Sequence, residues 1–391
     1  MSEHAKPNYA EGNDDNHTLP SWIYNDARYF ELERQELFAR SWQIACHVSE
    51  IAEPGDYITL EFVGERIAVA RLQDGSITAF HNTCRHRAHQ VITGEKGNCK
   101  RAHVCPYHGW TYAQDGGLRG IPGGSEADLE QVGHGLLPVD HEVFMGFVFI
   151  RLKAEGPSVA ERLAPFAELL AAYRIDEMQC SGDLQVEEHP IDWKNMMDNY
   201  QEGYHVAIGH PGLNQMMENE YEVRTDAELG TSFASHRFKD EPAGGPDEFA
   251  YMSLRPGAEH LPGDYAQRIS YLSLFPLVNI GLQPDSVHYY LFHPIGPGRA
   301  ALRTVSFALP NASRKTKAAQ AAIGRVWEQV VSEDNQLTRS VQLGLEGAAY
   351  QYGFLSPREA GVRAFRDWMR AQLPIVRREL RPCAGQPLPL D

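Results

Sequence analysis

The chain has 391 residues, 42% of them apolar and 23% charged, with a formal net charge of −16. That length allows two hydrophobic cores, and the acidic balance argues against a nucleic-acid backbone or an anionic membrane as partner. The most apolar run, Val143 to Ile150, falls far short of the roughly 20 residues that cross a bilayer. Residues 1–18 are polar and acidic and lack the basic and apolar regions of a secretory signal, so a cytoplasmic protein is expected. In a reducing compartment clustered cysteines bind metal more often than they pair. Of the six, only Cys84, Cys99 and Cys105 cluster; Cys46, Cys180 and Cys383 read as buried small hydrophobes or inert thiols.

In chain order, residues 19–41 carry helical spacing that opens near Pro20 and Ser21. From about 42 to 152 short β-rich runs follow one another: 56–63, 66–71 and 76–80, with Asp74-Gly75 and Asp115-Gly116 as hairpin signals. Val143 to Ile150 reads as one buried strand. Residues 157–173 return to helical periodicity, and an amphipathic helix spans about 193–208, ending near Gly209 and Pro211. Strand-rich sequence fills 219–310, including the runs 271–281, 287–292 and 301–309. A long helix is expected over 313–345, capped by Asn311 or Ser313, then a last helix over 357–372 and a Pro-rich tail from Arg381. The division is therefore an N-terminal segment 1–41, an all-β module 42–152 and an α+β domain 153–391, the first and third forming one unit.

Cys84-Arg-His86 and Cys105-Pro-Tyr-His108 each put a thiolate and an imidazole on one short loop, with 18 residues between the two motifs. Two such loops can close around one metal centre. A structural zinc of Cys2His2 type is one reading. The other is a [2Fe-2S] cluster in which the thiolates bind one iron and the imidazoles the second. The even split of Cys and His between loops, and the absence of a zinc-finger helix, favour the cluster. Cys84 to Ala88 followed by Cys105 to Tyr112 resembles the signature of the Rieske non-haem iron oxygenase α-subunits. That family usually has Gly where this chain has Ala88, and gives no ligand role to His89, Cys99 or His103.

Downstream, Asp198, Glu202, His205 and His210 crowd one segment. Glu202 and His205 are i,i+3 neighbours on a helix. His205 and His210 would diverge by about 140° on a continuous one, so they share a metal only if the helix unwinds near Gly209-His210-Pro211. Two histidines and a carboxylate are the facial triad of Fe(II) oxygenases. Glu202-x2-His205-x4-His210-Pro211 resembles the family's mononuclear iron motif. Glu333-Asp334 with Gln342 to Leu345 resembles its carboxylate segment, which implies Asp334 as third iron ligand, with Asp198 as a residue behind the ligands and the fallback ligand. The same resemblance implies that Glu202 bridges to a cluster histidine of a neighbouring subunit.

The resemblance covers nearly the whole chain. It implies an α+β protein, an all-β Rieske [2Fe-2S] module inserted in a helix-grip catalytic domain with a large antiparallel sheet. It further implies a homotrimer and a terminal mono- or dioxygenase that uses O2. The electrons come from NAD(P)H through a separate flavin/[2Fe-2S] reductase or a ferredoxin, since no Gly-rich dinucleotide fingerprint is present. The Glu-Gly-Tyr-His form at 202–205 is similar to the choline, betaine and carnitine branch, so a quaternary or methylated amine held in an aromatic cage is the expected substrate. Oxygenation of an aromatic acid or ring, a Rieske electron-transfer protein, and a zinc-stabilised binding protein are the alternatives.

Overall fold

The computed structural model describes residues 16–133, 135–182, 184–378, 381–383 and 388. Residues 1–15 of the expected N-terminal segment, and most of the expected tail, lie outside them. The N-terminal helical stretch is broken into short pieces. Asp26 accepts hydrogen bonds from the backbone N–H groups of Arg28 and Tyr29, so the α-helical turn starts only at Ala27 and runs to Leu32. A π-turn, Glu33–Leu37, continues it.

The β module contains a four-stranded antiparallel sheet in the order Ile77–His81, Glu65–Arg71, Asp56–Phe62, Lys96–Asn98. A three-stranded sheet beside it carries Ala102–Val104, Thr111–Ala113 and Leu118–Gly120. Both Asp-Gly pairs turn as expected, with Gly75 and Gly116 each at φ 88. The run Val143 to Ile150 is not one strand. It folds as a hairpin of Asp140–Phe144 and Phe147–Arg151, because Met145 (φ 48) and Gly146 (φ 79) take the paired left-handed conformation of a tight turn. A side chain at 146 would meet His47 Nε2 at 2.4 Å, so the sharp reversal needs glycine.

The α+β domain is built on an antiparallel sheet that has eight strands among the described residues. Gln179–Cys180 and Gln185–His189 both pair with Arg299–Ala308; then come Ser286–Gly296, Val278–Gln283, Arg268–Leu274, Thr231–Phe238 and Met217–Asp226. The run 271–281 is interrupted at Phe275–Leu277, where Pro276 has no N–H to donate to a ladder. The strand-rich region also holds a helix, Pro246–Leu254, that its spacing did not announce.

A 33-residue helix, Arg314–Glu346, is capped by Ser313, whose side chain accepts from the backbone of Thr316. Its buried positions Ala319, Ala322, Ile323, Val326 and Val330 recur at three- and four-residue steps and form one core with Leu213, Met216, Phe238, Tyr251 and Ile269. The largest core joins Tyr29 and Phe38 of the N-terminal segment to Ile58 and Ile67 of the β module, and to Trp193, Met197 and Phe365. The N-terminal segment thus packs against both larger parts of the fold.

Candidate active site

The two Cys/His loops are built alike. In the first, Ala88 N–H bonds to Cys84 C=O at 3.0 Å; in the second, Gly109 N–H bonds to Cys105 C=O at 2.9 Å. Each loop closes through a left-handed residue, Ala88 at φ 58 and Gly109 at φ 75. The alanine therefore carries a strain of about 1–2 kcal/mol that glycine would not. Cys84 and Cys105 are buried among Phe80, Val91, Ile92, Tyr112 and Leu136. His86 and His108 are exposed, with ring centroids 4.6 Å apart, and Trp110 stacks on His86 at 5.0 Å. Tyr112 Oη lies 3.2 Å from Cys84 Sγ and accepts the Arg85 N–H at 3.0 Å. Burial, and then the Cys84 thiol, push the Tyr112 phenol well up, so its proton stays available to the sulfur.

Thiols inside and imidazoles outside suit a two-iron cluster with one thiolate-bound and one imidazole-bound iron. A single tetrahedral zinc would need all four donor atoms within about 4 Å of one another. Among the described residues, the one group of three or more such side chains whose ligand atoms lie within 4.8 Å of each other is elsewhere: His205, His210 and Asp334. His103 is buried between the rings of Tyr57 and Phe80, a packing role.

The helix expected over 193–208 stops at Tyr200 and resumes as Val206–Gly209, with a second break at His210 (φ −126, ψ 70) before Pro211–Met216. Unwinding at both places removes the angular conflict between the two histidines. His205 Nε2 and His210 Nε2 stand 3.1 Å apart; Asp334 Oδ1 is 3.0 Å from His210 Nε2 and 3.5 Å from His205 Nε2. Bonds of about 2.1 Å at right angles put adjacent donor atoms about 3.0 Å apart, so this triangle fits one face of an octahedral ion.

The outer nitrogens have partners of their own. His205 Nδ1 meets Glu202 Oε1 at 2.5 Å, and His210 Nδ1 meets Glu333 Oε2 at 2.8 Å. A carboxylate on each Nδ1–H leaves both Nε2 lone pairs toward the triangle. The contact of Glu333 with His210 is a role that the sequence analysis did not assign. Asn199 Nδ2 donates to Asp334 Oδ1 at 2.8 Å. Burial opposes ionisation of Asp334, but the histidine and asparagine hydrogen bonds outweigh it and hold the carboxyl at about 2.

Asp198, the fallback ligand, lies outside the triangle: its Oδ2 accepts from Tyr24 Oη at 2.5 Å. The long helix is clamped to the segment before the break. Asn195 Nδ2 donates to Thr338 C=O at 2.8 Å, and Gln342 Oε1 accepts the Asp192 N–H at 3.0 Å. Beneath this clamp Lys194 is fully buried, paired with Glu33 at 2.9 Å and Asp192 at 2.8 Å.

The triangle opens into a cavity of about 110 Å³ whose lining includes Tyr200, Tyr221, Tyr271, Tyr290, Phe292 and Trp327. Tyr200 packs edge-on against Tyr271, Tyr290 and Phe292 at 5.9 Å each, leaving ring faces turned in different directions. Burial pushes the phenols of Tyr200, Tyr271 and Tyr290 well up, so the rings stay neutral. These residues come from the large sheet and the long helix as well as the iron segment.

A cluster module beside an antiparallel-sheet domain with an open metal site is the organisation of a two-centre oxygenase. Residues 41–133 match the Rieske [2Fe-2S] domain and residues 179–375 match the ring-hydroxylating α-subunit catalytic domain; the chain belongs to this family of Rieske-type non-haem iron oxygenases. A [2Fe-2S] cluster and mononuclear iron are its cofactors. It is 29% identical over 381 residues to the glycine betaine monooxygenase oxygenase subunit of Chromohalobacter salexigens, spanning 90% of this chain and 85% of the relative. It is 30% identical over 371 residues to the chloroplastic choline monooxygenase of Spinacia oleracea, spanning 92% and 79%. The solved structure of the quaternary ammonium Rieske monooxygenase CntA with L-carnitine matches at a TM-score of 0.74 and 25% identity, covering 91% of this chain and 95% of that one. No helix of the described residues is long and apolar enough to cross a membrane.

Proposed function

We propose that this chain is the terminal component of a multi-part monooxygenase that hydroxylates a quaternary or methylated amine. The observation that carries the reading is the aromatic lining of the cavity directly above an open three-ligand site. A quaternary ammonium has no hydrogen to donate and is held by neutral π faces. Here those faces are accompanied by the carboxylates of Glu202 and Asp334. The relatives named for glycine betaine, choline and carnitine support the same substrate class.

In this assignment residues 1–41 and 153–391 form the catalytic unit and residues 42–152 the cluster module. Cys84, His86, Cys105 and His108 hold the [2Fe-2S] cluster; His205, His210 and Asp334 hold the mononuclear iron. When bound, the cluster supplies electrons one at a time and the iron site supplies O2 activation. The chain's own groups do the rest. Glu202 and Glu333 fix the tautomers of the two histidines, Asn199 orients Asp334, and the aromatic cavity excludes water and presents an N-methyl or N-methylene carbon to the metal face. Dioxygen, two electrons and two protons convert an N–CH3 to N–CH2OH and water. The N–CH2OH group then breaks down to the demethylated amine and formaldehyde, releasing a proton when the starting amine is quaternary; attack at another N–CH2 cleaves that C–N bond instead.

Electrons arrive from NAD(P)H by way of a separate reductase or ferredoxin. The working unit is a cytoplasmic homotrimer in which the cluster of one subunit serves the iron of the next through Glu202. Two exposed surfaces support that arrangement. One is the cluster tip, with Tyr107 beside the exposed His86 and His108. The other surrounds the iron segment, where Tyr204, Ile208, Leu337 and Val341 are exposed.

The test is iron and acid-labile sulfide analysis with a reduced-state EPR spectrum, followed by single-turnover product analysis of the chemically reduced protein with a substrate panel. About three irons and two sulfides per chain, with a demethylated amine as product, are expected. A zinc-only protein, or turnover confined to benzoates, would overturn the assignment.

A further inference from the structure

We propose that the part of the substrate remote from its ammonium group is uncharged: the cavity takes a small methylated ammonium compound ending in a hydroxyl or a similar neutral group, and discriminates against one ending in a carboxylate. This rests on the amine reading above and narrows it.

Among the described residues that line the cavity, the charged ones are Glu202 and Asp334, both acidic; no lysine or arginine is present. The histidines His205 and His210 turn Nε2 to the triangle and Nδ1 to carboxylates. The third, His236, lies stacked on Tyr221 at 4.8 Å, and burial pushes its imidazole down to about 4, leaving it neutral near pH 7. Arg358 stacks on the exposed Tyr204 and is not part of the lining. The dication expected at the triangle already has Asp334 as a ligand, with Glu202 and Glu333 on the two histidines. These three carboxylates leave no surplus positive charge for a further anion.

What the cavity does offer are neutral polar groups. Tyr200, Trp327 and His236 line the cavity, and Tyr200 Oη, Trp327 Nε1 and His236 Nδ1 are buried without a hydrogen-bond partner among the described residues. The indole N–H can only donate, the phenol donates and accepts, and a neutral imidazole nitrogen does one or the other. A hydroxyl can satisfy such a set without adding charge. A carboxylate enclosed beside two acidic side chains and no cation bears an uncompensated desolvation cost. Carboxylate-bearing and hydroxyl-bearing trimethylammonium compounds differ in just this group.

The experiment uses the reconstituted protein with both iron centres loaded, chemically reduced, and exposed to O2 in single turnover. Choline, glycine betaine, ethyltrimethylammonium and benzoate are the probes, scored by product. Inhibition of choline turnover by glycine betaine gives the relative affinity. Choline and ethyltrimethylammonium are expected to be converted, with glycine betaine bound at least about 100-fold more weakly, a factor worth about 2.7 kcal/mol. The variant Trp327→Phe keeps an aromatic ring but removes the N–H, and is expected to weaken choline more than ethyltrimethylammonium, whereas a general loss of packing would weaken both alike. Glycine betaine converted or bound as well as choline overturns the inference while leaving the amine reading intact. Conversion of benzoate and of none of the amines overturns both.

Discussion

Replacing Asp198 by Asn tests the electrostatics of the segment that carries the two histidines assigned to the iron. Burial pushes the Asp198 carboxyl from 3.8 up to about 7, and Asp192 and Glu359 add to the rise, while the Tyr24 hydrogen bond and Lys194 pull the other way. A carboxyl that holds its proton more tightly when folded contributes stability that is fully present below pH 3.8 and lost as pH rises through about 7. Between pH 6 and 8.5 that single group removes about 1.4 kcal/mol. For a chain of this length the change corresponds to about 2 °C in melting temperature. Asparagine keeps an oxygen to accept from Tyr24 Oη but cannot titrate. Anaerobic thermal melts at several pH values should therefore show a wild-type decline between pH 6 and 8.5 that is shallower by about 2 °C in Asp198→Asn. Parallel pH profiles for the two proteins would refute the buried, proton-retaining environment assigned to Asp198.

Asp334→Ala removes one corner of the metal triangle, and is expected to lower iron from about three to about two per chain while labile sulfide and the reduced-cluster EPR signal persist; loss of the cluster signal would place the carboxylate at the wrong centre. Lys194→Met leaves Glu33 and Asp192 buried without their cation, both only 1% exposed, and should cost about 3–5 kcal/mol, read as denaturant sensitivity. A variant as stable as wild type at pH 7 would contradict the buried pair. Ala88→Gly relieves a left-handed alanine at φ 58, and should stabilise the cluster loop by up to about 1 kcal/mol, read as slower loss of cluster absorbance on heating. Faster bleaching would show that the alanine methyl contributes packing that outweighs its backbone strain.

Much of the chemistry was legible because its donors lie close together along the chain. Cys84 with His86, Cys105 with His108, and Glu202 with His205 meet through one tight loop or one turn, so residue type and spacing alone brought them to the same place. The long helix was readable from its two candidate caps, Asn311 and Ser313, of which Ser313 caps it. The hairpin at Met145–Gly146 and the break at Phe275–Leu277 were misread as continuous strands because apolar content does not reveal a reversal; the glycine and the proline within those runs were the available signals. The helix over 193–208 failed for a related reason: its periodicity continues through the residues that the tertiary structure unwinds to aim His205 and His210 at one point.

Asp334 was reached by family resemblance and not by geometry, since it stands 124 positions from His210. Its place in the triangle depends on the clamp of Asn195, Asn199, Thr338 and Gln342 between two helices. The Tyr24 contact to Asp198 spans 174 positions, and the aromatic lining comes from separate strands and helices. By itself the sequence determined the donor types, the local loops that pair them and the order of the modules. Only tertiary packing decided which carboxylate meets the two inner histidine nitrogens, which carboxylates meet the outer ones, and that the described lining of the cavity carries two acidic side chains and no lysine or arginine. Local spacing constrains residues within a turn or two; the meeting of distant side chains is set by how the sheet and helices bury their apolar faces together.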